Sequence, residues 1–337
     1  MKRFFQYLVA LAARAAGGLV GMLPRSWYFP AARGLAHVLY LFPAFGGVSF
    51  QNVRAAYPDA GRAEWRRMAK GSIENLLVTL CEFFWLRHHK DVFLPDLIEV
   101  SPCTREVVTD YLAHPGNGVL FVTPHHGNWE FAGQMLSLGF HFKVSTIVRS
   151  PQNPFIGELL SKGRGVSGVE LIESKGAARG FVSALKNGRA IGLLIDQNTR
   201  VRDGGDFVNF YGLPVPMTQL PARLARRNGL RIAFGGVYRE GTRLFMDAVL
   251  LPKECSEYAS DLELSQAIME RIETLVRRHP EQYLWMYRRF QYIPADADEA
   301  LKKRYPDYAV AARPSFYAQS ARRANRKNQD GGTEENV

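Results

Sequence analysis

Cysteine is scarce in this 337-residue chain: Cys81, Cys103 and Cys255 are odd in number and far apart. That excludes a disulfide scaffold and fits a reducing compartment. No Cys-x-x-Cys pair exists, so a cysteine-based zinc site is excluded as well. Also missing are the Gly-x-Ser-x-Gly elbow of a serine hydrolase, a Walker loop, and a Gly-x-Gly-x-x-Gly following a strand. No internal repeat is evident, and the basic residues interleave with apolar helical patterns instead of forming a known nucleic-acid reading module. Acidic residues are in deficit, 32 Asp and Glu against 43 Lys and Arg, which leaves a formal charge of +11. With 47% hydrophobic and 22% charged residues the chain is too apolar for intrinsic disorder and long enough for a sizeable core, in one large domain or two small ones. The surplus of positive charge points to nucleic acid, an anionic membrane, or an acidic substrate or carrier.

From Phe4 to Leu23 the chain is apolar except for Gln6 and Arg14. About 20 residues make roughly 30 Å of helix, enough to span a bilayer. Arg14 sits in the middle, where a charge is costly, so an in-plane or tilted helix with a snorkelling Arg14 competes with a full span. Lys2 and Arg3 before the apolar run, with Ala13-Arg14-Ala15 as a small-x-small site, also fit a signal peptide, which the odd cysteines disfavour. A second apolar stretch, Phe29 to Phe50, follows Trp27 and Tyr28 and carries Tyr40, Phe42 and Phe45, as suited to a membrane interface as to a core. Residues 1–50 are therefore expected to form a membrane-associated segment, 51–312 a folded domain carrying the strand-end motifs below, and 313–337, with Arg322-Arg323 and Arg326-Lys327, a mobile polar tail.

Between Gly61 and Asp91 the pattern predicts one helix with a broad apolar face, either a core helix or a membrane or acyl-chain contact. After Pro115, strands are expected at Val119–Val122, Val144–Val148, Val169–Ile172, Ile191–Ile195, Ile232–Val237 and Leu244–Leu250. Helices are expected near Pro154–Gly163, Ala177–Lys186, Gln219–Asn228 and Leu262–His279. That alternation predicts an α/β fold, a mixed and partly parallel sheet flanked by helices.

Ligands of such folds gather at the carboxyl ends of strands. The first long strand runs into His125-His126-Gly127-Asn128-Trp129-Glu130, with Asn128 a natural N-cap. On one continuous helix His125 and Glu130 would stand about 140° apart. If the helix starts at Asn128, they converge, an imidazole base held by a carboxylate. A capping or backbone-bonded histidine and a metal site are the alternatives, the latter without a third ligand nearby. Further strand ends supply Arg149 and Asn153 in one block, Arg164 after the next helix, and Asp196-Gln197. The arginines suit a phosphate; Asp196 is otherwise an N-cap or the partner of Arg164 or Arg149.

His125-x4-Glu130, Arg149 to Asn153-Pro154, Gly163-Arg164, Asp196-Gln197 with Phe207 and Phe210-Tyr211-Gly212, and the run from Pro280 to Phe290 together resemble the bacterial lipid A biosynthesis acyltransferases, a branch of the His-x4-Asp/Glu glycerolipid acyltransferases. The resemblance extends from the N-terminal segment to about Tyr308. It implies a glycerolipid acyltransferase-like fold with an N-terminal membrane-anchoring helix, on the inner membrane and facing the cytoplasm. It implies transfer of a fatty acyl chain from acyl carrier protein to a hydroxyl of a lipid A precursor, with no cofactor beyond the carrier thioester, no metal and no nucleic acid. Carried over by position, His125 is the base and Glu130 its partner, while Arg149, Asn153, Arg164, Asp196 and Gln197 bind substrate. Another glycolipid or aminolipid acceptor, or a thioesterase using the same pair on water, remains the alternative. The anionic leaflet, the acidic carrier and the phosphorylated precursor would each favour a basic face, with Arg223, Arg226, Arg227 and Arg231 as contributors and Arg288 and Arg289 either contacting phosphate or packing around Trp285.

Overall fold

The computed structural model describes residues 2–89, 92–113, 118–148, 152–165, 168–173 and 177–318. Helix α1 (Lys2–Met22) leads by a tight turn into α2 (Tyr28–Leu39), followed by α3 (Val48–Ala56) and the 27-residue α4 (Arg62–His88). A single turn α5 (Leu94–Leu97), strand β1 (Ile98–Val100) and α6 (Pro102–Ala113) precede the central part. There β2 (Val119–Thr123), α7 (Trp129–Gln134), β3 (Val144–Val148), α8 (Pro154–Gly165), β4 (Glu170–Glu173), α9 (Ala177–Lys186) and β5 (Ala190–Leu194) alternate. A hairpin, β6 (Gly205–Phe210) and β7 (Leu213–Thr218), then α10 (Leu220–Asn228), β8 (Arg231–Glu240), β9 (Arg243–Leu250) and α11 (Asp261–Arg278) follow.

Seven strands form one sheet in the order β1-β9-β8-β2-β5-β3-β4, parallel throughout except for the β8–β9 pair. The central strands are buried on both faces, which explains their unbroken apolar runs. On one face Leu120, Val122, Ile191 and Leu193 pack with α9, α10 and α11; on the other Val119, Phe121 and Val144 meet α7 and the end of α4 at Trp85 and Leu86. All six strands expected from periodicity are present, within two residues or so at each end except for the longer β8. The hairpin was not expected, because Pro214 and Pro216 argue against a strand. Facing Asn209 and Phe207, they occupy alternate positions of β7 and leave the ladder with β6 intact. Its two-residue turn, Tyr211 and Gly212, has φ of +54° and +69°, the left-handed geometry that such turns require.

The predicted helix at 61–91 is α4, and it is a core helix: eleven of its side chains are buried. Along it lies α1, whose buried side is made of small residues. A Cβ on Gly17 would stand 2.5 Å from the Phe84 ring, and one on Gly21 2.2 Å from the His88 ring. Residue 17 meets 84 and 21 meets 88, so the two helices run parallel in close contact. The remaining circumference of α1 exposes Phe4, Phe5, Leu8, Leu11 and Leu19, and α2 with its flanks adds Trp27, Leu35, Val38 and Leu41. Exposed apolar surface of that extent marks an interaction face. By length and composition α1 could cross a membrane.

Candidate active site

Strands β2 and β5 are parallel neighbours, with Thr123 opposite Leu194. Two residues beyond each stand His125 and Asp196, which the register therefore brings together. The His125 Nδ1 lies 2.7 Å from Asp196 Oδ1, and the His125 backbone N–H donates to Oδ2 at 3.0 Å. Burial by itself would raise the Asp196 pKa, but the charge and hydrogen bonds of His125, with Arg289 behind, outweigh it and hold the carboxyl below the usual range. An ionised Asp196 is an acceptor only, so Nδ1 carries a proton and, in the neutral imidazole, the lone pair falls to Nε2. Among the described residues nothing hydrogen-bonds Nε2. The imidazole packs edge-on against Trp129 at 5.3 Å. Beneath it, burial and the Asp196 charge push the Tyr283 hydroxyl well above the ordinary tyrosine pKa, so it stays protonated.

Asn128 caps α7 as expected, accepting the Phe131 N–H at 2.9 Å, and Glu130 falls in the first turn. The expected His125–Glu130 pair, however, is not what forms. Both Glu130 oxygens are taken by Arg164, Nη2 at 2.6 Å and Nε at 3.0 Å, a fork across from α8 to α7. The physical reason is register: only a residue at the end of β5 lies beside His125, whereas Glu130 has already turned onto α7. Asp196, expected among the substrate contacts, is the imidazole's partner and lies buried beneath it. Asn153 is a structural joint. Its Oδ1 caps α8 through Phe155 N, and its Nδ2 donates to the Gln6 carbonyl of α1 at 2.8 Å. Gln197 faces the cavity, and Arg149 lies outside the described residues.

The loop bearing His125 is fixed from three sides. Gly127, with φ +59°, has its N–H on the Gln282 carbonyl, and its own carbonyl accepts Asn75 Nδ2 and Thr79 Oγ1. A Cβ there would meet the Val237 carbonyl oxygen at 2.0 Å, so only glycine fits. Leu284 N–H holds the His125 carbonyl. The Pro280–Phe290 run is thus a buttress. The Gln282 amide exchanges two hydrogen bonds with the Arg239 backbone, and Arg289, buried against Phe210, donates to Asn198 Oδ1 and the Pro216 carbonyl instead of waiting for a phosphate. Of the other arginines expected on a basic face, Arg223 and Arg226 pair with Asp261 and Arg231 with Asp110. His126, next to His125, is buried; desolvation lowers its pKa to about 4 and keeps it neutral, with Nε2 on the His279 carbonyl.

His125, Glu130, Arg164 and Gln197 are among the polar residues lining a cavity of about 1040 Å³. Its apolar part lies on a row that crosses four strands, Ala233, Phe121, Gly192 and Thr146, under Ala132, Gly133 and Leu136 at α7. A Cβ on Gly133 would touch nothing and one on Gly192 only Val144 at 3.8 Å, so the small residues leave the space open. An imidazole beside a carboxylate, on a cavity lined by both polar and apolar residues, suits chemistry on the head of a ligand with a long apolar part.

Residues 2–292 match the family described as bacterial lipid A biosynthesis acyltransferase. Among curated proteins, the chain is 25% identical to a lipid A biosynthesis lauroyltransferase of Escherichia coli K12 over 266 residues, 76% of this chain and 80% of that one. It is 30% identical to the lipid A biosynthesis palmitoleoyltransferase of the same strain over 183 residues, 52% of this chain and 57% of that one. A lipid A biosynthesis acyltransferase of Shigella flexneri matches to the same extent.

Proposed function

The chain belongs to the bacterial lipid A biosynthesis acyltransferase family and is an acyltransferase, and from that premise we propose that it moves a fatty acyl chain from acyl carrier protein to a hydroxyl of a lipid A precursor, with His125 as general base. The observation that carries this reading is the Nδ1–Asp196 hydrogen bond of 2.7 Å, which leaves the Nε2 of a neutral imidazole to take a proton beside a cavity with polar and apolar walls. The acceptor oxygen bonds to the thioester carbonyl carbon while Nε2 takes its proton. The tetrahedral intermediate then breaks its C–S bond, and the imidazolium returns the proton to the departing thiolate. No covalent enzyme intermediate or cofactor is needed. Asp196 holds the tautomer and stabilises the imidazolium; general base action of this kind contributes about 10²- to 10⁴-fold. The Glu130–Arg164 fork shapes the polar wall where the acceptor enters. The apolar faces of α1 and α2 hold the enzyme on the inner membrane, with the catalytic domain in the cytoplasm, where an acidic carrier and a phosphorylated lipid both meet a basic protein.

The test is acyl transfer from carrier-bound thioester by the full chain and its His125→Ala variant, with and without lipid A precursor. The expected result is transfer that requires the acceptor and falls at least a hundredfold in the variant. Transfer by His125→Ala at the wild-type rate would sink the base assignment, and release of free fatty acid at an equal rate without acceptor would make the protein a thioesterase.

A further inference from the structure

One buried charge lies outside the chemistry just described. Glu82 stands on the inner face of α4 with no exposed surface, and its carboxylate is fully subscribed. Oε1 accepts from Arg25 Nε at 2.8 Å, while Oε2 accepts from Asn128 Nδ2 at 2.7 Å and from Arg239. Burial alone would favour the neutral acid, but the two guanidinium groups outweigh it and keep Glu82 ionised. A buried charge of this kind is no bargain in stability: matched apolar residues do as well or better. What it supplies is direction. Asn128 must point its amide nitrogen at Glu82 and its oxygen at the Phe131 N–H, because the flipped amide would set an oxygen against a carboxylate. Asn128 stands between His125, three residues before it, and Glu130, two residues after it.

The other end of the link is Arg25, in the turn that joins α1 to α2. Its guanidinium also donates to the Thr242 carbonyl at 2.9 Å, and its neighbours Leu23 and Trp27 are apolar and exposed. The turn that carries the outward-facing apolar residues is therefore two side chains away from the cap of the catalytic helix.

We propose that Arg25 and Glu82 are positioning residues, which tie the setting of Asn128, and through it the His125 loop and Glu130, to the seating of the N-terminal helices. The inference rests on the reading of His125 as the base. Its test is a double-mutant cycle in the full chain, Arg25→Met against Asn128→Ser, with kcat and the donor KM measured at saturating acceptor. Serine keeps an oxygen for the Phe131 N–H and removes the amide NH2 that donates to Glu82; Asn128→Thr does the same and replaces it should the serine variant fail to fold. Arg25→Met is expected to lower kcat about fivefold, or about 1 kcal/mol, with the donor KM within twofold, and Arg25→Lys to restore at least half. In the Asn128→Ser background the same change should cost less than twofold, since the link is already cut. Equal losses in both backgrounds, or losses that track the folded fraction in thermal melts, overturn the coupling. Additivity alongside an inactive His125→Ala overturns the coupling alone; an active His125→Ala overturns the base assignment and the coupling with it.

Discussion

Replacing Asp196 by asparagine separates the two carboxylates that compete for His125: Glu130, its partner by sequence spacing, and Asp196, its partner in the fold. In the native site Asp196 accepts two hydrogen bonds from His125, at 2.7 Å from the ring and 3.0 Å from the backbone. Hydrogen bonds to a charged acceptor are worth about 1.5–3 kcal/mol each. Asparagine offers one oxygen for two donors. If that oxygen takes the backbone N–H, the amide NH2 faces Nδ1, which must then give up its proton and force it onto Nε2, the wrong tautomer for a base. The corresponding change in a serine-protease triad costs about 10⁴-fold. With either bond lost and the imidazolium unsupported, kcat should fall about 10²- to 10⁴-fold, roughly 3–5 kcal/mol of barrier. The donor KM should stay within about threefold, because Asp196 is not among the residues lining the cavity. Steady-state kinetics on carrier-bound thioester supply both numbers. Stability carries a second signature. Because the folded Asp196 pKa is depressed, its stabilisation is present above the unfolded value of about 3.9 and is lost as pH falls through the folded value. The stability gap between wild type and Asp196→Asn, from urea unfolding, should be flat from about pH 5 to 8 and close in stronger acid. The reasoning is refuted if Asp196→Asn keeps kcat within threefold while Glu130→Gln loses hundreds of fold, for then Glu130 is the partner of the imidazole after all.

Arg164→Lys should lower kcat about tenfold or more despite retaining the charge, since an ammonium cannot fork onto both Glu130 oxygens; wild-type turnover by this variant would show that charge alone suffices. His126 titrates near 4 in the folded protein and near 6.5 when unfolded, so the unfolded state binds the extra proton between those values and stability falls with acidification. Wild-type unfolding free energy should drop by about 2 kcal/mol between pH 8 and 5 from this residue, and His126→Gln should lose that component; an unchanged pH slope in the variant contradicts it.

What the sequence made legible was whatever depends on local pattern. Apolar runs of the right length marked β2, β3, β5, β8 and β9, and Asn128 declared the start of α7. The Pro280–Phe290 run was recognisable as a motif, but its work was not, because Gln282 acts on Arg239 and Gly127, and Arg289 on Asn198 and Pro216, through contacts far apart in the chain. The same limit explains the misassigned partner of His125. Five residues of sequence join it to Glu130 and 71 separate it from Asp196, yet strand pairing decides which one touches. Glu82 gave no signal at all, standing in a helix whose neighbours Phe83 to Leu86 drew the eye to its apolar face.

The buttress has a bearing on when the protein becomes competent. His125 leaves the ribosome long before Gln282 and Leu284, whose backbone groups must hold Gly127 and His125 in place. Until that late segment arrives, a left-handed glycine and a strand-end histidine have only Asn75, Thr79 and half a sheet to shape them, and β8 and β9, which supply Val237 and Arg239, are also late. Closing loops that long is slow and entropically costly. The surroundings of His125 therefore depend on segments that are synthesised late. Without the segment around Gln282 and Leu284 the geometry at His125 is incomplete, so whatever that imidazole does waits until parts of the chain more than 150 residues apart have met.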